Sequence, residues 1–408
     1  MQNFAVLFGG NALGQAIALL AYPLLTRLFT DADFGFFSLF LSLTGVLTIL
    51  GTGRYEESFV VAKSEEETRS LFSFATKWLL MFSLFVFLVL LFFGNRILSV
   101  FKVEPISRFW YLIPITLFFT GLSSLGHDLL VRMKRFRRIA TASLTANASA
   151  SAMKIAAGLL SLNGFGLIVS QIGSYICSGF VYLKYVKHYF RADNWSEQKK
   201  IAVQYGDFPK YNLGRTLVNY LTSNAPFLML TATFGESPLG LLSVAMIIFR
   251  PVNLVGSSLF SVFYEKITSL KKEGKIIKPL LTQYWGKAAL TAIPLLIAAY
   301  FAAPWMFRIV FGDMWEKSAD YFRMLLPWVF AVIMVAPVKF LPIVFEKQKK
   351  AFFFESICFV VQVVVLAVGI FLKNFDLAIR LFALGNFAFF MALLVWYISM
   401  VNKNDCPH

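Results

Sequence analysis

Several basic side chains of this chain stand inside long apolar runs, where a charge is expensive. Lysine or arginine at the centre of a membrane-spanning helix costs about 2.5–3.5 kcal/mol on insertion scales. Arg250 lies deepest in its run, so a binding role is the preferred interpretation for it. For the others, binding and snorkelling of the side chain to the membrane interface are equally compatible with the pattern. These others are Lys154, Lys287 and Lys339.

Two further arginines, Arg27 and Arg54, stand near the ends of the first two runs, where snorkelling is the simpler interpretation. Acidic residues within the runs are few. Asp128 and Glu355 are the main ones and hence the candidates for carrying a proton or a coupling cation, although Asp128 could pair with Arg132 one helical turn later. An interior with more cations than carboxylates suits an anionic cargo, above all a phosphate or pyrophosphate.

Uncharged polar residues and prolines also interrupt the apolar runs. Asn11, Gln15 and Asn224 could line the same cavity as the cations, or could form hydrogen bonds between helices. Pro23 and Pro226 occupy nearly equivalent places in the first and seventh runs. Because proline removes a helix hydrogen bond and clashes one turn back, we expect kinks there that could act as hinges.

The sequence lacks the patterns of enzymes. It has no phosphate-binding loop and no nucleophile elbow, and its three histidines are scattered, so we expect no catalytic residues, no cofactor and no metal site. Asp31 and Asp33 resemble a metal-binding pair, but they occupy a short turn. A polar cap of that turn is the favoured interpretation.

The composition identifies the elements that must carry these residues. Of the 408 residues, 58% are apolar and 15% charged, against roughly 45–50% and about 25% in soluble proteins. This excludes a soluble globular enzyme and a disordered chain. It predicts an all-α polytopic membrane protein, because runs of about 20 apolar residues recur along the chain. The twelve candidate spans are 4–29, 34–53, 72–94, 109–131, 139–161, 164–186, 213–234, 238–264, 280–302, 324–345, 351–372 and 376–400.

Basic residues are distributed unequally between the predicted loops. Loops after even-numbered spans, together with the C-terminal tail, hold 25 of the 38 lysines and arginines, and loops after odd-numbered spans hold nine. Since short cytoplasmic loops are enriched in lysine and arginine, both termini are predicted to be cytoplasmic. Topology thus accounts for the net charge of +16, and we expect no nucleic-acid partner.

Short segments recur in the same order in both halves. Phe29–Gly35 after the first span matches Phe234–Gly240 after the seventh, and Ile97–Phe101 resembles Arg308–Phe311. The offset predicts two six-helix bundles of the same orientation, related by a parallel pseudo-two-fold repeat. The predicted domains are an N-terminal bundle at 1–186, a cytoplasmic linker at 187–212, and a C-terminal bundle and tail at 213–408.

The chain resembles, over its whole length, the Wzx-like flippases of polysaccharide and O-antigen repeat units, members of the multidrug/oligosaccharidyl-lipid/polysaccharide exporter superfamily. The resemblance rests on the segments Asn11–Gln15, Pro23–Phe29, Gly51–Ser58 and Val310–Trp315. It implies a V-shaped transporter in the bacterial inner membrane. Its implied cargo is an undecaprenyl-pyrophosphate-linked oligosaccharide, moved from the cytoplasmic to the periplasmic leaflet.

The resemblance has further implications for sites and partners. Arg27, Arg54 and Arg250 match the cationic cavity residues of these flippases by span and character, and not by a strict motif. Membrane lipids, and a polymerase and chain-length regulator of the same pathway, are the implied partners. Two alternatives stay open: a polymerase or ligase of that pathway, which the short external loops disfavour, and a drug or metabolite antiporter of the same superfamily, which the cationic residues disfavour.

Overall fold

The computed structural model describes residues 2–102, 104–190, 195–273 and 275–404, and within these ranges the regular structure is helical throughout. The helices up to residue 204 are α1 Gln2–Leu28, α2 Asp31–Thr52, α3 Glu65–Leu98, α4 Glu104–Arg108, α5 Leu112–Arg132, α6 Phe136–Leu159, α7 Asn163–Val186 and α8 Trp195–Gln204. The later helices are α9 Leu213–Phe234, α10 Glu236–Ala245, α11 Phe249–Lys272, α12 Lys278–Phe311, α13 Glu316–Val335, α14 Leu341–Val344, α15 Gln348–Phe371 and α16 Phe375–Asn404.

Eight helical segments of the described chain are long and apolar enough to cross a membrane. This confirms the prediction of an all-helical, multi-pass membrane protein. The eight segments are 31–52, 65–101, 163–189, 236–271, 278–311, 313–344, 348–371 and 375–403. Helices α1, α5, α6 and α9 coincide with the other four predicted spans but are not among these eight. The count of twelve spans in two bundles therefore stays a prediction.

Two short predicted turns are present, and local chemistry explains both. Thr30 caps α2 through a reciprocal pair of hydrogen bonds: its hydroxyl accepts from the Asp33 N–H at 3.2 Å, and its own N–H donates to the Asp33 carboxylate at 2.9 Å. Asp33 is therefore a helix cap, as the sequence predicted. Between α6 and α7, Ser161 and Asn163 take positive φ angles of 54° and 48°, which close the turn in three residues.

By internal packing the chain divides into two compact units, residues 1–240 and 241–408. The boundary lies beyond the predicted linker of 187–212, because α9 packs on α2 within the first unit. The Tyr220 hydroxyl donates to the Leu41 carbonyl at 3.0 Å, and the Ser42 hydroxyl donates to the Asn224 amide oxygen at 3.2 Å. Part of the linker is itself helical, as α8. The predicted bundles of 1–186 and 213–408 stay a prediction.

The two copies of the repeated segment meet each other at the starts of α2 and α10. A Cβ atom added to Gly35 would lie 1.8 Å from the Glu236 carbonyl oxygen, and one added to Gly240 would lie 1.7 Å from the Asp31 carbonyl oxygen. The contact is reciprocal, since Asp31 and Glu236 occupy equivalent positions of the two copies, as do Gly35 and Gly240. A local two-fold axis between two segments pairs equivalent positions in this way, and the pseudo-two-fold repeat of the whole chain stays a prediction. Only glycine allows the two backbones to approach so closely.

Two prolines of the second unit, one inside α12 and one in the 3-10 segment Ala336–Val338 after α13, free backbone carbonyl groups that accept hydrogen bonds from side chains of a neighbouring helix. Pro337 has no N–H for the Ile333 carbonyl, which accepts instead from the Tyr284 hydroxyl of α12 at 2.6 Å. Pro304 likewise frees the Tyr300 carbonyl, which accepts from the Arg323 guanidinium at 2.8 Å. These bonds satisfy groups that would be costly to leave unpaired in a membrane.

Candidate functional site

A polar pocket of about 430 Å³ lies inside the first unit, and we call it the first-unit pocket. Helices α1, α5, α6 and α7 and the segment after α2 contribute to it. Amide, hydroxyl, phenol and carboxylate groups make up most of its lining. The lining residues are Asn11, Arg54, Glu56, Ser123, Ser124, His127, Asp128, Ile139, Ala142, Ser143, Ala146, Asn147, Tyr175, Ser178 and Tyr182.

Arg54 enters this pocket from a turn with an unusual backbone. Gly53 and Arg54 both have left-handed conformations, with φ angles of 58° and 59°, which end α2 and turn the chain into a 3-10 helix at Tyr55–Val61. The Arg54 guanidinium donates to Glu56 at 3.0 Å and, through its Nε, to Glu57 at 3.1 Å. Arg54 is therefore held by two carboxylates of its own segment and is not an isolated cation.

Glu56 is the most deeply buried charged group of the site, with 1% of its surface exposed. Its Oε1 accepts from Arg54 and, at 3.2 Å, from the Thr52 hydroxyl, whereas its Oε2 has no partner among the described residues. Glu56 lies in the segment between two of the apolar spans. Loss of hydration on burial raises the pKa of its carboxyl group, and attraction to Arg54 opposes that rise only in part.

Helix α5 supplies the opposite wall and fixes the segment that carries Arg54. The Asp128 carboxylate lies 2.8 Å from His127 Nδ1. Arg132, the predicted partner of Asp128, instead donates to the carbonyl oxygens of Val60 and Ala62 at 3.0 and 2.7 Å. The predicted pairing of Asp128 with Arg132 is therefore corrected. The free carbonyl groups at the end of the 3-10 helix accept hydrogen bonds from the Arg132 guanidinium, and Asp128 lies on the pocket wall.

Of the predicted site residues, three line the first-unit pocket: Asn11, Arg54 and Asp128. Others of the first unit are engaged in packing between helices. Lys154 donates to the Gln171 amide oxygen at 2.9 Å and lies 4.7 Å from the centre of the Phe37 ring. Asn224 links α9 to α2 through Ser42, and Gln15 is half-buried on α1. Arg27 is exposed in the last turn of α1.

The remaining predicted residues belong to the second unit or are the two prolines that were predicted to act as hinges. Arg250 is exposed at the start of α11, directly after a short 3-10 segment at Met246–Ile248 that interrupts the helix before Pro251. Lys339 is exposed and lies 5.5 Å from the centre of the Phe390 ring. Glu355 is half-buried on α15. Pro23 and Pro226 stand inside α1 and α9, each of which is one continuous helix.

The sequence interpretation missed the carboxylates that neutralise Arg54. Glu56 and Glu57 stand two and three residues after it, inside a segment that was considered only for its resemblance. The signal that could have found them is this spacing, since two acidic residues so close to an arginine can reach its guanidinium from a tight turn. The amides and phenols of α6 and α7, above all Asn147 and Tyr175, were also missed.

The arrangement as a whole is suited to binding polar, largely uncharged groups. Hydroxyl, amide and phenol groups both donate and accept hydrogen bonds, as the hydroxyl groups of a sugar require. Within the described residues, no group of three or more His, Cys, Asp and Glu residues could hold a metal ion.

Solved structures with the same fold are membrane transporters. The chain superposes on the lipid II flippase MurJ in an inward closed conformation with a TM-score of 0.76, at 14% identity, over 99% of this chain and 90% of that one. It superposes on an inward-facing multidrug resistance MATE transporter of the MOP superfamily with a TM-score of 0.69, at 12% identity, over 95% of this chain and 96% of that one. For a mutant of the Vibrio cholerae MATE transporter VcmN the TM-score is 0.54, at 12% identity, over 98% of this chain and 95% of that one. The fold is that of the MOP superfamily transporters.

The sequence itself identifies the family within this class. The sequence profile described as polysaccharide biosynthesis protein matches residues 24–320, more than half of the chain. The chain belongs to this family of polysaccharide biosynthesis proteins, which confirms the resemblance inferred from the sequence. No curated protein sequence matches the chain.

Proposed function

We propose that this protein is a flippase that moves an undecaprenyl-pyrophosphate-linked oligosaccharide from the cytoplasmic to the outer leaflet by alternating access. The observation that carries the proposal is the first-unit pocket: a cavity of about 430 Å³, lined by hydrogen-bonding groups, in a membrane protein of a polysaccharide biosynthesis family. A polar cavity between membrane helices needs a polar occupant, because unpaired polar groups are costly there. The sugar portion of the cargo is such an occupant.

The lining of the pocket favours sugar over pyrophosphate as its direct occupant. Arg54 already faces Glu56 and Glu57, and Asp128 adds another carboxylate to the pocket wall. A pyrophosphate would be repelled by these carboxylates, whereas sugar hydroxyls can donate to them. The proposal therefore assigns the sugar to the first-unit pocket and the phosphate groups to other basic residues. The candidates are Arg27, Lys154, Arg250 and Lys339.

Arg250 is the strongest of these phosphate candidates. It is an exposed arginine in an apolar helical segment, and its planar guanidinium can bind two phosphate oxygens at once. Arg250→Ala is expected to weaken cargo binding roughly ten- to hundredfold, since a charge-assisted contact contributes about 1.5–3 kcal/mol. Surface polysaccharide should be lost while the protein still inserts into the membrane, and Arg250→Lys should restore it in part. Full activity of inserted Arg250→Ala at limiting expression would refute the assignment.

The proposal includes the location and orientation of the protein. It places the chain in the bacterial inner membrane with both termini in the cytoplasm, on the strength of the asymmetry of basic residues between loops. Being a transporter, it would have no catalytic residues, and its pathway partners would be a polymerase and a chain-length regulator. Labelling of a cysteine introduced at Lys187 by an impermeant reagent in intact cells would contradict this orientation.

Filling the first-unit pocket tests the proposed function directly. Ser124 is half-buried on α5 and lines the pocket, so Ser124→Leu adds bulk where the sugar would lie. In cells that lack the native gene, this variant should leave lipid-linked oligosaccharide in the cytoplasmic leaflet and reduce surface polysaccharide at least tenfold. Thr291→Leu is the matched control, because Thr291 is exposed on α12 outside the pocket. Equal export by the two inserted variants would refute the assignment of the pocket.

A second candidate function is antiport of a cationic small molecule. The observation that favours it is the pair of carboxylates, Glu56 and Asp128, on the wall of the same pocket. Carboxylates in a membrane cavity attract cations and can exchange them for protons. Resistance of cells to cationic dyes, lost on Glu56→Gln but with normal surface polysaccharide, would support this function over the flippase.

A further inference from the structure

A second polar pocket lies in the second unit, at the end where α12 is followed by α13 and where α16 begins. It has a volume of about 600 Å³, and its charged residues are three cations and two anions. The cations are Lys317, Arg323 and Arg380, and the anions are Asp320 and Asp376. We call it the second-unit pocket. None of these residues was among the predicted site residues.

An apolar groove continues from this pocket along the outer faces of α12 and α13. The groove has a volume of about 340 Å³ and shares Tyr300, Arg323 and Pro327 with the second-unit pocket. The side chains along it, such as Ile297 and Phe301, are 53% and 72% exposed. Both helices are apolar enough to cross a membrane, and an exposed apolar groove on such helices is suited to the acyl chains of a bilayer. One end of an apolar groove thus opens onto a cationic pocket.

Arg323 stands at the junction of the groove and the pocket, and its guanidinium is fixed there. Its Nε donates to the Tyr300 carbonyl at 2.8 Å, the carbonyl that Pro304 leaves without its helix partner. The guanidinium also lies over the Tyr300 ring, 4.9 Å from its centre. The terminal NH1 is 3.6 Å from Asp320, too long for a strong ion pair. The outer edge of the guanidinium is therefore held in place but only weakly neutralised.

The carboxylates of the pocket neutralise these cations incompletely. Asp376 already accepts a hydrogen bond from the Tyr321 hydroxyl at 3.2 Å, and Tyr321 is buried. The Asp320 side chain is 59% exposed and lies 3.6 Å from the NH1 of Arg323. Lys317 and Arg380 are exposed on the rim. The site thus combines a net positive charge with an adjoining apolar channel, which matches a molecule that has an anionic head and a hydrocarbon chain.

We propose that this groove and pocket form one binding site for an anionic glycerophospholipid of the surrounding bilayer, with an acyl chain along α12 and α13 and its phosphate at Arg323. The bilayer supplies this occupant at high local concentration, and the groove opens directly to it. The site is separate from the first-unit pocket and does not depend on which cargo the protein moves. Lys317 and Arg380 contribute long-range attraction, and Arg323 supplies the direct contact with phosphate.

The test measures binding of defined lipids to the purified full-length protein by native mass spectrometry. Dioleoyl phosphatidylglycerol should bind the wild type at least about tenfold more tightly than dioleoyl phosphatidylcholine, because only the former has a net charge. Glycerol 3-phosphate, which has the anion without the chains, should bind far more weakly than either. Equal binding of the two phospholipids, or binding of glycerol 3-phosphate as tight as that of phosphatidylglycerol, would overturn the proposal.

Single and double variants test the contributions of the groove and of the pocket to lipid binding separately. Arg323→Gln keeps a donor for the Tyr300 carbonyl and should weaken phosphatidylglycerol binding about tenfold. Lys317→Ala combined with Arg380→Ala leaves that backbone contact intact and should weaken binding several-fold, so the test does not depend on the folding of one variant. Ile297→Trp should block the groove and reduce binding of both phospholipids.

The matched control is Arg308→Ala. Arg308 lies near the end of α12 and pairs with Asp313 at 2.8 Å, outside the groove and the pocket. This variant also removes one arginine charge, from the neighbouring helix α12 and not from α13, and phosphatidylglycerol binding should stay within about twofold of wild type. A loss equal to that of Arg323→Gln would show that only general surface charge attracts the lipid, and would overturn the site.

Discussion

The pockets of the two units differ in how far the charge of their arginine residues is neutralised. In the first-unit pocket, Arg54 is enclosed by the carboxylates of its own segment, and neutral hydrogen-bonding groups make up most of the wall. In the second-unit pocket, cations outnumber carboxylates, and Arg323 is held by a backbone carbonyl. A carbonyl orients a guanidinium without removing its net charge, whereas a carboxylate removes it. The first arrangement suits sugar, and the second suits phosphate.

The largest effect is expected at the close contact between α2 and the start of α10, within the first unit. A Cβ at Gly240 would lie 1.7 Å from the Asp31 carbonyl oxygen, so Gly240→Leu must displace α2 from α10. We expect a loss of at least about 1–3 kcal/mol in the free energy of unfolding. Thermal unfolding in detergent measures it. Gly214→Leu is the control, because nothing lies within 4 Å of the Cβ position there. Equal midpoints for both variants would contradict the close contact.

The next prediction compares the stability cost of removing Arg54, which is enclosed by carboxylates, with that of removing the exposed Arg250. Arg54→Ala leaves Glu56 buried without its guanidinium partner, which should lower the free energy of unfolding by about 1–3 kcal/mol. Arg250→Ala, at an exposed position of the second unit, should change it by less than about 0.5 kcal/mol. Both values come from unfolding of the purified variants under the same conditions. If Arg250→Ala proved the more destabilising, the contrast between the units would be wrong.

A pH dependence should follow from Glu56. Burial raises the pKa of this carboxyl group, so the folded state binds its proton more tightly than the unfolded state. The associated stabilisation is present below the unfolded-state pKa of about 4.3 and is lost as the pH rises through the higher folded-state pKa. The unfolding midpoint of the wild type should therefore fall, relative to that of Glu56→Gln, between about pH 4 and the folded-state pKa. Parallel pH profiles for the two proteins would exclude Glu56 as the source.

The smallest effects compare one lysine from each unit. Lys154→Met loses the hydrogen bond to Gln171 and the contact with the Phe37 ring, and should destabilise the protein by about 0.5–1.5 kcal/mol. Lys339→Met loses only a longer ring contact, 5.5 Å from Phe390, at an exposed side chain, and should cost less than about 0.5 kcal/mol. Chemical unfolding of both variants measures the difference. The reverse order would show that Lys339 has the more important packing role.

Much of the helical framework could be predicted because its determinants are local. The apolar runs, the Thr30 cap and the turn between α6 and α7 each depend on a few consecutive residues. The 3-10 segment before Pro251 has an equally local cause, which is the missing N–H of that proline. The matched segments Phe29–Gly35 and Phe234–Gly240 could also be found by comparison within the chain.

The candidate site could be predicted only in part. Asn11, Arg54 and Asp128 were identified by their polarity in apolar surroundings, which is a property of the sequence. Their charge balance was not predicted, because Glu56 reaches Arg54 only through the left-handed turn that ends α2. Asn224 could have lined a cavity or joined two helices, and its bond with Ser42 of α2 shows the second role.

By itself the sequence determined that this chain is a helical membrane protein, and where several of its segments turn. Those properties follow from burial and charge summed over neighbouring residues. Only the tertiary structure decided which carboxylate neutralises Arg54, which carbonyl orients Arg323, and that Gly35 and Gly240 meet the opposite copy of their own segment. Hydrogen bonds and steric contacts act only over a few ångströms. Which groups come that close is set by the path of the backbone, and the sequence pattern does not give that path.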